Sequence, residues 1–345
     1  MSTQVAAAPV AVTGASGFIA KHIVAELLKR GYPVRATLRD LNKFDGVRSA
    51  VTRAGADPAG LTFVEADLMS DEGWDAAVKG VAYVIHTASP FPVQQPDNED
   101  DVIGPAREGT LRVMLAAHRA MVKRIVLTSS TVAVMYAQKY VPGHIFTEAD
   151  FTDETSARLT PYIKSKSLAE KAAWNFVKTK VGAPELAVIC PAFVQGPALD
   201  GDLSTSHELM RLMAEGRYPA SPKVTFPVCD VRDVAAAHVE AMIRPAAAGQ
   251  RFIIAEGETR LFDIGQRMVE ECPDLKSKVP KFELPDAAVR ALAVFDKRLR
   301  TILPELGSHR VCSNAKAREG LGLTFRSASE AIGEAARSLR ALKLI

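Results

Sequence analysis

Short apolar runs alternate with longer amphipathic stretches through the first half of the chain, and few folds accept that order. The runs are Pro9–Thr13, Val34–Leu38, Leu61–Val64, Val81–His86, Lys123–Thr128 and Leu186–Cys190. Between them, Gly17–Gly31 sets Ile19, Ile23, Leu27 and Leu28 at helical spacing, and Ser70, followed by Asp71 and Glu72, reads as a helix start. Pro105–Val122 opens with a tolerated early proline and turns Leu111, Met114 and Leu115 to one face; Pro161–Lys180 is a further long helix. Strands that alternate with helices need right-handed crossovers, so the strands lie parallel and helices cover both faces. The expected fold class is α/β, a doubly wound parallel sheet.

Beyond Pro191 the texture turns irregular, with Gly196-Pro197, Gly201, Ser204-Thr205-Ser206, Tyr218-Pro219 and Ser221-Pro222. Loops of this kind on an α/β scaffold usually build a site. Asp233 reads as the cap of a helix Val234–Ile243, and Arg251–Ala255 as one more strand. With 345 residues in hand, the expectation is a cofactor domain over 1–190, rejoined by about 225–255, and a smaller substrate lobe from 191–224 and 256–345.

Composition excludes more than it selects. Hydrophobic residues at 48% and charged residues at 24% speak against disorder. Lys and Arg total 43 against 40 Asp and Glu, a net +3 with no basic run, so a nucleic-acid partner is not expected. Cys190, Cys229, Cys272 and Cys312 lack the close spacing of a zinc or redox site, and the histidines form no cluster, so no metal is expected. Met1–Ala8 lacks the basic start and apolar stretch of a leader, and no window approaches a membrane span, which makes cytoplasm the expected location.

The loop Gly14-Ala15-Ser16-Gly17-Phe18-Ile19-Ala20 stands between the first strand and the first helix, the context a dinucleotide fingerprint requires. Gly14 would make the tight turn, Gly17 would admit the pyrophosphate to the helix N-terminus, and Ala20 would allow close helix–strand packing. At the end of the second strand, where an NAD enzyme presents an acid to the ribose, stands Arg39, with Lys43 close behind. A guanidinium holds a 2′-phosphate through charge-assisted bonds, so the residues favour NADP(H). The alternative leaves Arg39 in solvent and gives the ribose to Asp40. Asp67-Leu68 follows the third strand, where an acid could accept from the adenine amino group or simply shape a turn.

Tyr162 and Lys166 stand four apart at the start of a helix and therefore share a face. A free phenol, with a pKa of about 10, serves as an acid–base catalyst at neutral pH when a cation such as Lys166 lies beside it. Thr128-Ser129-Ser130 ends the fifth strand, where open α/β sheets place their ligand sites, and a serine hydroxyl there can donate to the oxygen that Tyr162 protonates. Each string alone has an ordinary structural explanation. Their order and context carry the reading.

Jointly these strings resemble the extended short-chain dehydrogenase/reductases, and most of all the branch of dihydroflavonol reductases, cinnamoyl-CoA reductases and yeast-type methylglyoxal and aldehyde reductases. The similarity runs through Val12–Asp40, His86–Phe91, Asn98–Leu115, Leu127–Ser130, Tyr162–Trp174 and Pro191–Pro197, with Val231-Arg232-Asp233-Val234 similar in texture. It implies a Rossmann fold, a catalytic Ser130, Tyr162 and Lys166, and Lys166 holding the nicotinamide ribose. Thr87, Ala88 and Ser89 would line the centre of the cofactor, while Pro191 and Val194 would pack near the nicotinamide. Met135 stands where plant flavonoid reductases carry an asparagine that reads hydroxyls, which speaks against a polyhydroxylated flavonoid.

Phe91, Met135, Phe193 and Phe226, with Tyr136, Met210 and Met213, are candidates for the substrate pocket. His86 reads as a satisfied inner-sheet histidine, and His207 lies in the irregular region. The expected function is an NADPH-dependent reductase of a small aldehyde, ketone or keto ester, acting as monomer or homodimer. Two alternatives stand beside it: a nucleotide-sugar epimerase or dehydratase with bound NAD, and a regulator that senses NADP without chemistry.

Overall fold

The computed structural model describes residues 8–89, 98–136, 141–156, 159–295 and 302–345. Seven strands form one wholly parallel sheet: β1 (Val10–Thr13), β2 (Val34–Leu38), β3 (Leu61–Glu65), β4 (Tyr83–His86), β5 (Arg124–Thr128), β6 (Glu185–Pro191) and, after two strands given below, β9 (Arg251–Ile254). Their order is β9-β6-β5-β4-β1-β2-β3. β1 is buried throughout and each of the other inner strands at all but one residue, as a sheet covered on both faces requires. β1 pairs with β2 on one side (Val10↔Val34) and with β4 on the other (Val10↔Tyr83). The order therefore reverses between β1 and β4, and the crevice at the carboxyl ends of these strands is where a doubly wound sheet places its ligand.

Helix α1 (Phe18–Lys29) buries Ala20, Ile23, Val24 and Leu27, the i, i+3, i+4, i+7 stripe, and packs on α2 (Phe44–Arg53) and α7 (Val231–Ile243). The other layer holds α3 (Trp74–Val78), α4 (Asp100–Arg119) and α5 (Pro161–Thr179). Several boundaries differ from the sequence reading. The helix after β3 starts at Trp74, not at Ser70, whose hydroxyl instead accepts from the Glu72 amide in a turn. Pro105 lies inside α4, because Asp100 and Asp101 already start that helix where its dipole favours negative charge. Asp230, not Asp233, caps α7 by accepting from the Arg232 amide, and Asp233 in the first turn binds Arg326 instead. Helix α2 went unread because its apolar stripe is only Val47, Ala50 and Val51.

A second sheet of β7 (Phe193–Gln195), β8 (Thr225–Asp230) and β10 (Glu258–Arg260) runs in the order β10-β8-β7. Around it gathers a second buried cluster, built by α6 (Thr205–Ala214), α8 (Leu261–Glu271) and the C-terminal helix Ala328–Ala341, with Met210, Met213, Ile264, Met268 and Leu339 inside. The return to the main sheet is made by α7 and β9. Among the described residues no helix is long and apolar enough to cross a membrane.

Candidate active site

Gly14 leaves β1 with φ +67°, and a Cβ there would stand 3.0 Å from the backbone of Ala88, so this turn needs glycine. The Gly17 amide donates to the Gly14 carbonyl at 2.9 Å, and α1 begins at Phe18 without a side-chain cap and without an acid in its first turn. Its free amides, flanked by Ser16, Phe18 and Ile19, face the crevice end of the sheet as an anion site. Thr13 ties the neighbouring strand in place. Its Oγ1 accepts from the Thr87 and Ala88 amides, both at 3.1 Å, and lies 2.7 Å from His86 Nδ1. With two donors on that oxygen, the Thr13 hydroxyl proton goes to His86 Nδ1, which leaves the imidazole proton on Nε2. That nitrogen is buried with no hydrogen-bond partner among the described residues, and burial, reinforced by Lys166, pulls the ring's pKa down to about 3. His86 is therefore only half satisfied.

Arg39 is exposed and makes no ion pair among the described residues, while Asp40 spends its carboxylate on the Asn42 amide at 2.9 Å. Lys43 reaches Asp202 at 3.8 Å. These residues, with the open α1 N-terminus, fit a dinucleotide that carries an additional phosphate. Asp67 accepts from the Met69 amide and so shapes a turn, and Leu68 is buried against Gly109.

Across the crevice, Thr160 caps α5 by accepting from the Ile163 amide at 3.3 Å. This places Tyr162 and Lys166 on the face that meets the end of β5. Tyr162 is hydrogen-bonded to Ser130, whose single hydroxyl proton has the Pro191 carbonyl, 3.4 Å from Oγ, as its other acceptor. Burial raises the Tyr162 phenol to about 12 despite Ser130, and lowers the Lys166 ammonium to about 8. Lys166 lines one recess with Ala88, Ser89 and Thr128, so the β4 loop and α5 converge. The Thr128 hydroxyl itself is committed to His238 Nε2 at 2.7 Å. Val194 lies half-buried in β7, its carbonyl accepting from Ser206.

A family model, the NAD dependent epimerase/dehydratase family, matches residues 10–255. The chain belongs to that family. It is 31% identical to the ketoreductase azaE of Aspergillus niger over 96% of this chain and 97% of the relative. It is 35% identical to the cinnamoyl-CoA reductase CAD2 of Medicago truncatula over 83% of this chain and 90% of the relative. The crystal structure of yeast methylglyoxal/isovaleraldehyde reductase Gre2 complexed with NADPH superposes with a TM-score of 0.80, at 29% identity, over 98% of this chain and 100% of that one.

Within this epimerase/dehydratase framework the candidate pocket residues divide between the two buried clusters. Phe193 and Phe226 do meet, with ring centroids 5.5 Å apart, but they pack on the second cluster, together with Met210 and Met213 in its interior. Met135 packs in the main core instead, and Phe91 lies outside the described residues. Tyr136 donates to Glu305 at 2.6 Å beneath the Arg310 guanidinium, 4.4 Å from its ring centroid, so a C-terminal segment reaches the neighbourhood of Tyr162. The segment 196–200 is strapped to α1: His207 and His22 hold the Gly196 and Pro197 carbonyls at 2.9 and 3.0 Å, and Asp200 pairs with the buried Lys21 at 2.6 Å. Phe18 sits between the two histidine rings. Sequence reasoning missed these contacts, since nothing in the spacing of Lys21 and Asp200 pairs them. It also passed over Glu170, a charge on the buried face of α5 that helical periodicity from Lys166 could have flagged.

Proposed function

We propose that this chain is an NADPH-dependent reductase of small carbonyl compounds, with aldehydes, ketones or keto esters as its substrate class. The observation that carries the reading is the Tyr162–Ser130 hydrogen bond at the end of β5, the neighbour of β4, with Lys166 one helical turn beyond Tyr162. Relatives named ketoreductase and cinnamoyl-CoA reductase, and the Gre2 complex with NADPH, support the reaction class and the cofactor.

The α1 N-terminus with Gly14 and Gly17 would hold the pyrophosphate, Arg39 and Lys43 the 2′-phosphate, and Lys166 the nicotinamide ribose; Thr87, Ala88, Ser89, Pro191 and Val194 would line the rest. When bound, NADPH supplies the hydride. Tyr162, kept a neutral phenol by its burial, gives its proton to the substrate's carbonyl oxygen, and Ser130 donates a second hydrogen bond to that oxygen. Lys166, one helical turn along the same face of α5, would stabilise the phenolate left behind.

The test is NADPH oxidation, followed at its absorbance, with a panel of small aldehydes and β-keto esters. Turnover on at least one class is expected. A chain that binds NADPH and turns over none of them would behave as a sensor, and one purified with tightly held NAD would behave as an epimerase.

A further inference from the structure

The segments that bear the proposed reactive groups all converge on one buried carboxylate that no step of the reaction uses. Glu170 lies one turn beyond Lys166 on α5, its side chain 1% exposed. Ser129, the neighbour of Ser130, donates to its Oε2 at 2.5 Å, and Trp174 Nε1 donates to Oε1 at 3.1 Å. Cys190, the neighbour of Pro191, brings Sγ to 3.9 Å. From β9, Arg251 sets Nε 2.6 Å from Oε1 and donates from Nη2 to Oε2 at 3.3 Å. The same guanidinium donates to the carbonyls of Glu148 and Asp150 at 3.0 and 2.8 Å, reaches that of Ala133 in the turn after Ser130 at 3.5 Å, and lies 3.8 Å from the Phe151 ring centroid.

Burying such a pair costs desolvation that its attraction barely recovers, and an apolar pair of equal volume would serve stability as well. Its position relative to Ser130 is the better clue. The backbone at Ser130 is extended (φ −163°, ψ 156°), so successive side chains point to opposite sides. Ser129, anchored inward on Glu170, thereby turns Ser130 outward toward Tyr162. We infer that the Glu170–Arg251 pair is a positioning device that, through the Ser129 hydroxyl, aligns Ser130 with Tyr162. This inference rests on the reading of Ser130, Tyr162 and Lys166 as the reactive groups.

The test is a double-mutant cycle on kcat with a substrate from the active class, with the affinity for NADPH measured alongside by fluorescence. Ser129→Ala keeps the ion pair whole, and is expected to lower kcat about ten-fold, because small misplacements of reacting groups carry costs of that size. NADPH affinity should stay within about two-fold, and Ser129→Thr, which keeps the hydroxyl, should retain most of the activity. In a Ser130→Ala background the Ser129→Ala change should alter kcat by less than about two-fold, since the residue it aligns is gone. An equal loss in both backgrounds, or no loss in either, overturns the positioning role while leaving the catalytic reading intact. If Ser130→Ala alone leaves kcat unchanged, the catalytic reading falls and this inference falls with it. Glu170→Leu with Arg251→Met removes both charges together with the acceptor of the Ser129 hydroxyl, and its kcat should fall to the level of Ser129→Ala.

Discussion

The two sides of the crevice are held by different kinds of bond. On the cofactor side the geometry is backbone: a left-handed Gly14, an uncapped helix start, and strand ends stitched by Thr13 to the Thr87 and Ala88 amides. On the proposed substrate side it is side chain to side chain between distant segments, as in Tyr136 with Glu305 and Asp200 with Lys21 of α1. Backbone geometry costs nothing to hold once the sheet has formed, and it does not titrate. Partnerships between distant side chains can be lost one at a time, so the substrate side is where sequence change alters specificity at the least cost to the fold.

If the contrast is right, damage to the reactive pair should leave the cofactor side untouched. Tyr162→Phe is expected to lower kcat by about 10²- to 10⁴-fold, the usual worth of a positioned acid, with NADPH binding retained. Turnover within a few fold of wild type would sink the assignment. Arg39→Ala probes a part of the cofactor side that depends on a charged side chain rather than on backbone. Loss of a charge-assisted bond of about 1.5–3 kcal/mol should cut the NADPH over NADH preference in kcat/KM by about 10- to 100-fold. An unchanged ratio would mean that Arg39 is only a solvated strand end.

The same contrast explains what was legible in the sequence. Each strand of the main sheet is a local apolar run, and the Gly14 turn, the Tyr162/Lys166 spacing and the end of β5 are local patterns too. Reading them needed no knowledge of what folds against what. Glu170 with Arg251, Tyr136 with Glu305, and the strap of residues 196–200 on α1 depend on packing between segments up to 179 residues apart, as with Lys21 and Asp200. Local periodicity can put Glu170 on the buried face of its helix, but it carries no signal for which distant residue pairs with it. The boundary errors have a nearer cause: Ser70 and Asp233 both have capping chemistry, but Asp230 caps three residues earlier, and Ser70 caps a turn rather than a helix.

Acid should strain the seam between the two sides. Burial lowers His22 and His207, which hold the strap, to about 4, and His238 behind Thr128 likewise to about 4. A buried histidine with a lowered pKa is neutral in the folded chain and takes up a proton on unfolding, so stability is present above about pH 6.5 and drains away as pH falls toward 4. The midpoint of thermal unfolding should drop by several degrees between pH 7 and pH 5, at about 1–2 °C for each kcal/mol lost in a chain of this length. A flat profile over that range would show that these rings are hydrated in the folded chain.

The smallest effect tests the substrate side directly. Tyr136→Phe removes the hydroxyl that donates to Glu305 and leaves the ring under Arg310 in place. Glu305 keeps Arg310 as a partner, so the carboxylate is not abandoned and the fold should lose only about 1 kcal/mol. What loosens is the docking of the segment around Glu305 beside Tyr162. The expected result is a KM for the carbonyl substrate raised about three- to ten-fold, with the KM for NADPH unchanged, because a loosened pocket wall weakens the binding of substrate and transition state alike. A rise in the KM for NADPH instead would place the Tyr136–Glu305 contact on the cofactor side, and the division of the crevice into a backbone-built side and a side-chain-built side would fail.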